Sequence, residues 1–314
     1  MTDKFGCAEG VHPMTSRLQK QLTPLQGILY YTPPDDYLLS GRDGMVAIQW
    51  GGKPPIPLLA EDFTALTGGA PDYDMVGRGI YQALRLDPDC SGAATYAAVL
   101  REAYPHIVSD LGGQIIMLEA KEIDTPYLDR KITLLKIMAL LDPGNDGLSL
   151  EIARAYIDKG SRLASMQYCV TCWYAAEKHL KGAFSLNPGD RHVAYEYGEA
   201  QYVLGRYDRA AEIWSDAIML LEPAERAQVE ARIAGILAGR IPLVPPLDYL
   251  TALSVAIEQH GNGFNDEAIS IINDVLSDPV FAEQFPLNEV YYLLGTCYQE
   301  TGLMAEAAEA FRRS

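Results

Sequence analysis

The sequence predicts an all-α solenoid of antiparallel helix pairs, behind an irregular lead-in with room for one small hairpin. Three observations carry this reading. From about residue 58 onward apolar residues recur at helical spacing, and Gly, Pro or Asn-Pro punctuation arrives every 12 to 20 residues. Alternating β-branched runs are scarce over the same stretch, so a sheet has little to form from. Two separated segments also match one another in register, the mark of stacked structural units.

Taken in order, residues 1–57 carry turn-forming clusters: Thr32-Pro33-Pro34-Asp35-Asp36, Gly41-Arg42-Asp43-Gly44 and Gly51-Gly52-Lys53-Pro54-Pro55. Leu18, Leu22 and Leu25 predict a short helix over Thr15–Gln26. Leu38-Leu39 and Val46-Ala47-Ile48 flank an Asp-Gly turn signal and predict a hairpin. Asp72–Pro88 then reads as a helix closed by Leu-Asp-Pro, followed by helices near 93–103, 106–121 and 125–141. Leu148–Lys159 leads, after a longer connection, to a helix holding Ala176 and Ala183 and ending at Pro188. An extra helix is expected over Pro223–Ala238, and a Pro-rich loop, Ile241-Pro242-Leu243-Val244-Pro245-Pro246, follows it. That loop either turns the solenoid or divides it into two stacks. The expected organisation is an irregular segment 1–57, helical repeats with one extra helix over 58–240, and C-terminal repeats over 247–314.

The matching segments are Arg191–Leu220 and Asn288–Ser314, aligned on Gly205 and Gly302. Each has a glycine (Gly198, Gly295) where two helices must approach closely, and an alanine (Ala210, Ala307) early in the second helix. An aromatic (Trp214, Phe311) follows four residues later and is expected to wedge between neighbouring pairs. Tyr249–Val280 repeats the frame more weakly through Ala256, Gly263, Ala268 and Ile272. This pattern resembles the tetratricopeptide repeat (TPR) family, over most of 58–314. The resemblance implies a right-handed solenoid, a non-enzymatic scaffold or adaptor, and a concave groove lined by the first helix of each pair. Carried across by position, the groove residues are His192, Tyr195, Glu199 and Tyr202 in one unit and Glu289, Tyr292, Thr296 and Gln299 in the last. Chaperone-binding members grip an acidic peptide with Lys, Arg and Asn there; this chain carries Tyr, Glu, Thr and Gln, so that clamp is not expected.

Candidate chemistry is sparse. Cys169-Val-Thr-Cys172 has redox or metal spacing, but His179 lies about 10 Å further along the helix axis, too far to share one ion. The simpler reading is a pair of small apolar side chains on a buried face. Asp87-Pro-Asp89-Cys-Ser91-Gly92 and Asp142-Pro-Gly-Asn-Asp146-Gly147 resemble calcium loops, yet Ala98 and Ala153 occupy the twelfth place, where a bidentate Glu is required. Both are better read as Asp-Pro turns. No nucleophile elbow, phosphate loop, dinucleotide fingerprint or zinc-protease motif is present, and the five histidines (His12, His106, His179, His192, His260) are scattered. No cofactor, metal or enzymatic activity is expected.

The chain of 314 residues carries 25 Lys and Arg against 42 Asp and Glu, a formal charge of −17. That balance argues against nucleic acid or anionic membrane as partner, since both need clustered cations. The imbalance is local: residues 247–314 hold 11 acids and two bases, Arg312 and Arg313, and no Lys or Arg occurs across the 71 residues before Arg312. A basic or aromatic-rich protein segment is therefore the expected partner, gripped by the C-terminal repeats. The 19 tyrosines, against seven phenylalanines, suit such contacts, though they also suit helix interfaces. An alternative from another class is a small-molecule sensor in which residues 1–57, with Trp50, fold over a helical cradle as a lid. Self-association through the solenoid ends is a third expectation, because the last unit stops at Ser314 without a polar capping helix. No signal segment or membrane-spanning run is visible, and five cysteines fit a reducing compartment, so a cytoplasmic location is expected.

Overall fold

A computed structural model describes residues 24–41, 47–66, 68–119 and 125–314. The helix expected over Thr15–Gln26, all but its last three residues, lies outside them, as does the turn at 42–46. The chain divides into two compact units, Met1–Tyr104 and Pro105–Ser314.

The first unit holds β1 (Ile28–Tyr31), β2 (Leu38–Ser40), β3 (Ala47–Gln49), β4 (Ile56–Leu59), α1 (Ala60–Ala65), α2 (Tyr73–Leu86) and α3 (Ala93–Ala103). Strands β2 and β3 form the expected hairpin, with Leu39 opposite Ile48; these two are buried while their neighbours face outward. Strands β1 and β4 also pair antiparallel, Ile28 opposite Leu59, a pairing the sequence did not announce. Pro57 sits inside β4 and argues against a strand there, but its missing N–H is tolerable in a two-stranded sheet. Ile56 and Leu58 are completely buried against α2. The approach is so close that a Cβ on Gly79 would stand 2.0 Å from the Pro57 carbonyl oxygen. Trp50 is buried as well, its Nε1 donating to the Pro54 carbonyl at 2.8 Å. The stretch 47–59 therefore supplies core to this unit, and β4 runs through residue 57, where the sequence suggested a boundary.

The second unit is an all-α stack of antiparallel pairs. Its helices are α4 (Ile107–Glu119), α5 (Thr125–Leu141), α6 (Asp146–Ser161), α7 (Cys169–Leu186), α8 (Arg191–Val203), α9 (Tyr207–Ala217), α10 (Pro223–Leu237), α11 (Pro246–Gly261), α12 (Asn265–Leu276), α13 (Pro279–Gln284), α14 (Asn288–Glu300) and α15 (Met304–Arg313). Asn145 and Asp190 cap α6 and α8 by accepting from backbone N–H groups, which fixes where those helices begin. The closest pairs are α6 with α7, α8 with α9, α11 with α12, and α14 with α15. Gly205 and Gly302 close the first helix of their pairs at φ +73° and +82°, a conformation that side-chain-bearing residues avoid.

After α10 the Pro-rich loop sends the chain back, and α11 packs on α7 and on the short 3-10 turn (Leu163–Tyr168) before it. The helices before and after the loop share one apolar core, running from Leu150 through Trp173, Leu253 and Ile272 to Ala310. A buried carboxylate pins this reversal. Asp278 Oδ2 accepts from the Leu243 N–H at 2.7 Å and the Tyr249 hydroxyl at 2.8 Å. Its Oδ1 caps α13 through the N–H groups of Val280 and Phe281. Burial pushes the Asp278 pKa up, but these hydrogen bonds to the charged form outweigh it and hold the carboxyl below its ordinary value.

Candidate functional site

In the central pair a Cβ on Gly198 would lie 2.1 Å from Trp214 Nε1, so glycine there is what admits the indole. Trp214 donates to the Tyr195 carbonyl at 3.2 Å and is fully buried. Gly295 relates to Phe311 in the same way, its added Cβ 2.6 Å from the ring. Each aromatic thus sits over the glycine of its own pair; Trp214 reaches beyond it as well, joining Tyr202, Leu221 and Val229 in a cluster that includes α10. Ala210 and Ala307 are buried at the crossing of each pair.

The groove residues of the two units meet different fates. In the central unit α10 packs on α9, and side chains from its start and body reach the inner face of α8 at three places one turn apart on α8. Glu222 pairs with Arg191, Gln228 Oε1 accepts from the Tyr195 hydroxyl at 3.3 Å, and Arg232 pairs with Glu199. The Arg232 guanidinium stands 5.0 Å from the Tyr202 ring and 5.9 Å from that of Trp214. Tyr202 is only 1% exposed, its hydroxyl donating to Gln284 Oε1 at 2.6 Å. Burial raises the Glu199 pKa against the pull of Arg232, and burial followed by the Glu199 charge pushes Tyr195 up to about 12. His192 is half-buried and accepts from Arg191 Nε at 3.3 Å. Tyr202 and Glu199 are thus internal side chains, and a groove there is covered by the protein's own helix.

In the terminal unit the corresponding face of α14 is open. Tyr292 is 62% exposed and Glu289 and Gln299 are exposed too, while Thr296 turns its hydroxyl back to the Tyr292 carbonyl at 3.0 Å. Tyr292 leans on Phe311, ring centres 5.6 Å apart, which limits its rotamers. Glu289 and Tyr292 form one wall of a cleft of about 610 Å³. The other wall is the end of α6 and the turn after it: Asp158, Arg162, Leu163 and Ala164. Arg162 is held by Asp158 through two bonds of 2.8 and 2.9 Å, whereas Glu289 has no ion pair among the described residues. The cleft therefore offers an apolar ring and an unneutralised carboxylate side by side. Thr296 and Gln299 are further along α14 and do not line it. No local sequence pattern could have named Asp158 or Arg162, which come from a pair some 130 residues earlier.

Among the acids of 247–314 only Asp278 is buried; the others face outward. The cysteine pair is internal. Cys169 lies 3.8 Å from Thr251 Oγ1, and Cys172 packs where α7 crosses Gly160. Burial raises both thiol pKa values, and it raises Cys297, with help from Glu300, to about 11, so all three stay protonated near neutrality. Asp87 accepts from the Asp89 N–H at 3.0 Å, an Asp-Pro turn, and Asn145 donates to Asp142 at 3.0 Å. Among the described residues no group of three or more His, Cys, Asp or Glu is placed to hold a metal ion, and no helix is long and apolar enough to cross a membrane.

No protein-family model matches the chain, and no curated protein does either. Among solved structures, a crystal structure of MamA protein is similar at 16% identity and TM-score 0.29, covering 67% of this chain and 90% of that one. A second MamA structure gives 17% identity and TM-score 0.25, covering 62% and 94%. Human IFIT1, solved as a dimer with PPP-AAAA, gives 16% and 0.21, covering 81% and 71%. The helix pairing described above rests on this chain's own packing.

Proposed function

We propose that the protein is a non-enzymatic interaction scaffold whose working groove is the face of α14, and that it takes a basic segment of a partner protein there. The observation that carries this reading is the pairing of an exposed, ring-buttressed Tyr292 with an unneutralised Glu289 in one cleft. Tyrosine gives contact area at low entropic cost, and the carboxylate gives a basic side chain a partner. The surrounding arm, with its outward acids and almost no bases, extends the attraction beyond the cleft and speeds encounter.

The lid alternative finds less support, because β4 is sealed onto α2 and Trp50 is itself a buried core side chain of the first unit.

Affinity capture with the intact protein from its native host supplies candidate partners, and titration with a Lys- and Arg-rich segment of one of them tests the groove. Tyr292→Ala should weaken that binding about tenfold while changing stability by no more than about 0.5 kcal/mol. Neutralising Glu289, Glu300 and Glu306 together should weaken it at low salt and much less at high salt. Affinity that is indifferent to salt and to both variants would remove the groove from consideration.

A further inference from the structure

The helix that seals the central unit also borders a second cleft, of about 430 Å³, whose far wall is α13; Gln228 and Arg232, which engage α8, reach this cleft as well. Its polar groups are Gln228, Arg232 and Arg240 from the α10 side and Glu283 and Gln284 from the other, with Ala231, Gly235 and Val280 between them. Three features of this lining point to a ligand. Both glutamines use their carbonyl oxygens on tyrosine hydroxyls, Gln228 on Tyr195 and Gln284 on Tyr202, which leaves their N–H groups as the ends free to donate into the cleft. Arg232 has only 7% of its side chain exposed, and is fixed by Glu199 below and two aromatic rings beside it. Arg240 is exposed, has no ion pair among the described residues, and is anchored by its N–H to the Gly235 carbonyl at 2.8 Å.

The charges then decide the chemical class. Glu199 already balances Arg232, so the open charges are one guanidinium, Arg240, and one carboxylate, Glu283. A simple anion would satisfy Arg240 and the amide donors but face Glu283; a cation would satisfy Glu283 alone. A molecule carrying both groups matches every open charge at once. We propose that this cleft binds a free amino acid, its carboxylate held by Arg240 and the amides of Gln228 and Gln284, its ammonium by Glu283. The site is built on α10 and α13, away from the α14 groove, so it stands or falls separately from the scaffold reading.

The test is titration of the intact protein with L-glutamine, L-serine and L-glutamate, with sodium acetate and methylammonium as the two half-ligands, followed by calorimetry or amide chemical shifts. At least one amino acid should saturate, and acetate should bind at least about tenfold more weakly because it leaves Glu283 unmatched. Arg240→Gln and Glu283→Gln, both at exposed positions whose folding is checked by thermal unfolding, should each weaken the amino acid about tenfold. No saturation by about 10 mM, equal binding of acetate, or unchanged affinity in both variants would overturn the proposal.

Discussion

The central pair α8–α9 and the terminal pair α14–α15 are built on one frame and differ in what covers their inner face. Each has its glycine under an aromatic ring, its buried alanine, and a left-handed glycine at the turn. Beside the central pair lies α10, and the residues that a groove would offer are absorbed into an ion pair, two tyrosine hydrogen bonds and an aromatic cluster. On the terminal pair the matching side chains Tyr292 and Glu289 are exposed. The same sequence frame therefore yields stability in one place and an available surface in the other. The neighbour decides, not the repeat.

The largest expected effect comes from the two aromatics. Trp214→Ala should cost about 3–5 kcal/mol by urea unfolding, since a fully enclosed ring leaves a cavity that its neighbours cannot fill. Phe311→Ala should cost less than half as much, because that ring is only partly buried. Equal losses would mean that the two pairs are equally enclosed.

Next comes the seal itself. Arg232→Met strands the buried Glu199 carboxylate and should cost about 3 kcal/mol or more; adding Glu199→Gln should return most of that loss. A double variant no more stable than the single one would show that the pair is not what joins α10 to α8.

A smaller effect tests the reversal at the Pro-rich loop. Asp278→Asn should cost about 2 kcal/mol at neutral pH, by turning an amide donor toward groups that need an acceptor. The folded-state pKa of Asp278 is depressed, so its contribution is complete above the unfolded-state value near 4 and is lost as pH falls through the folded value. The gap between wild type and variant should accordingly narrow on acidification. A gap that stays constant down to acid pH would place the stabilisation elsewhere.

Much of this fold was legible in the chain. The period of apolar residues located α2 through α12 and α14–α15, and the small-residue frame located Gly198 and Gly295, because close helix crossing admits no side chain there. The β1–β4 pairing was hidden by Pro57 and by the separation of its strands. The six-residue α13 was hidden too, since so short a helix has no period to read. Of the candidate site, Glu289 and Tyr292 were readable from the repeat register. Asp158, Arg162 and the covering role of α10 were not, because they meet α14 and α8 only through the path of the folded chain.

The sequence by itself determined that this protein is helical and built from pairs and that its C-terminal arm is acidic. Those are consequences of local periodicity and composition, which need no partner to be expressed. Only the tertiary structure decided which inward face is covered and which is open. That outcome depends on how α10 packs back against α8 and on the fold that brings α6 beside α14, and a long-range packing choice leaves no trace in the spacing of neighbouring residues.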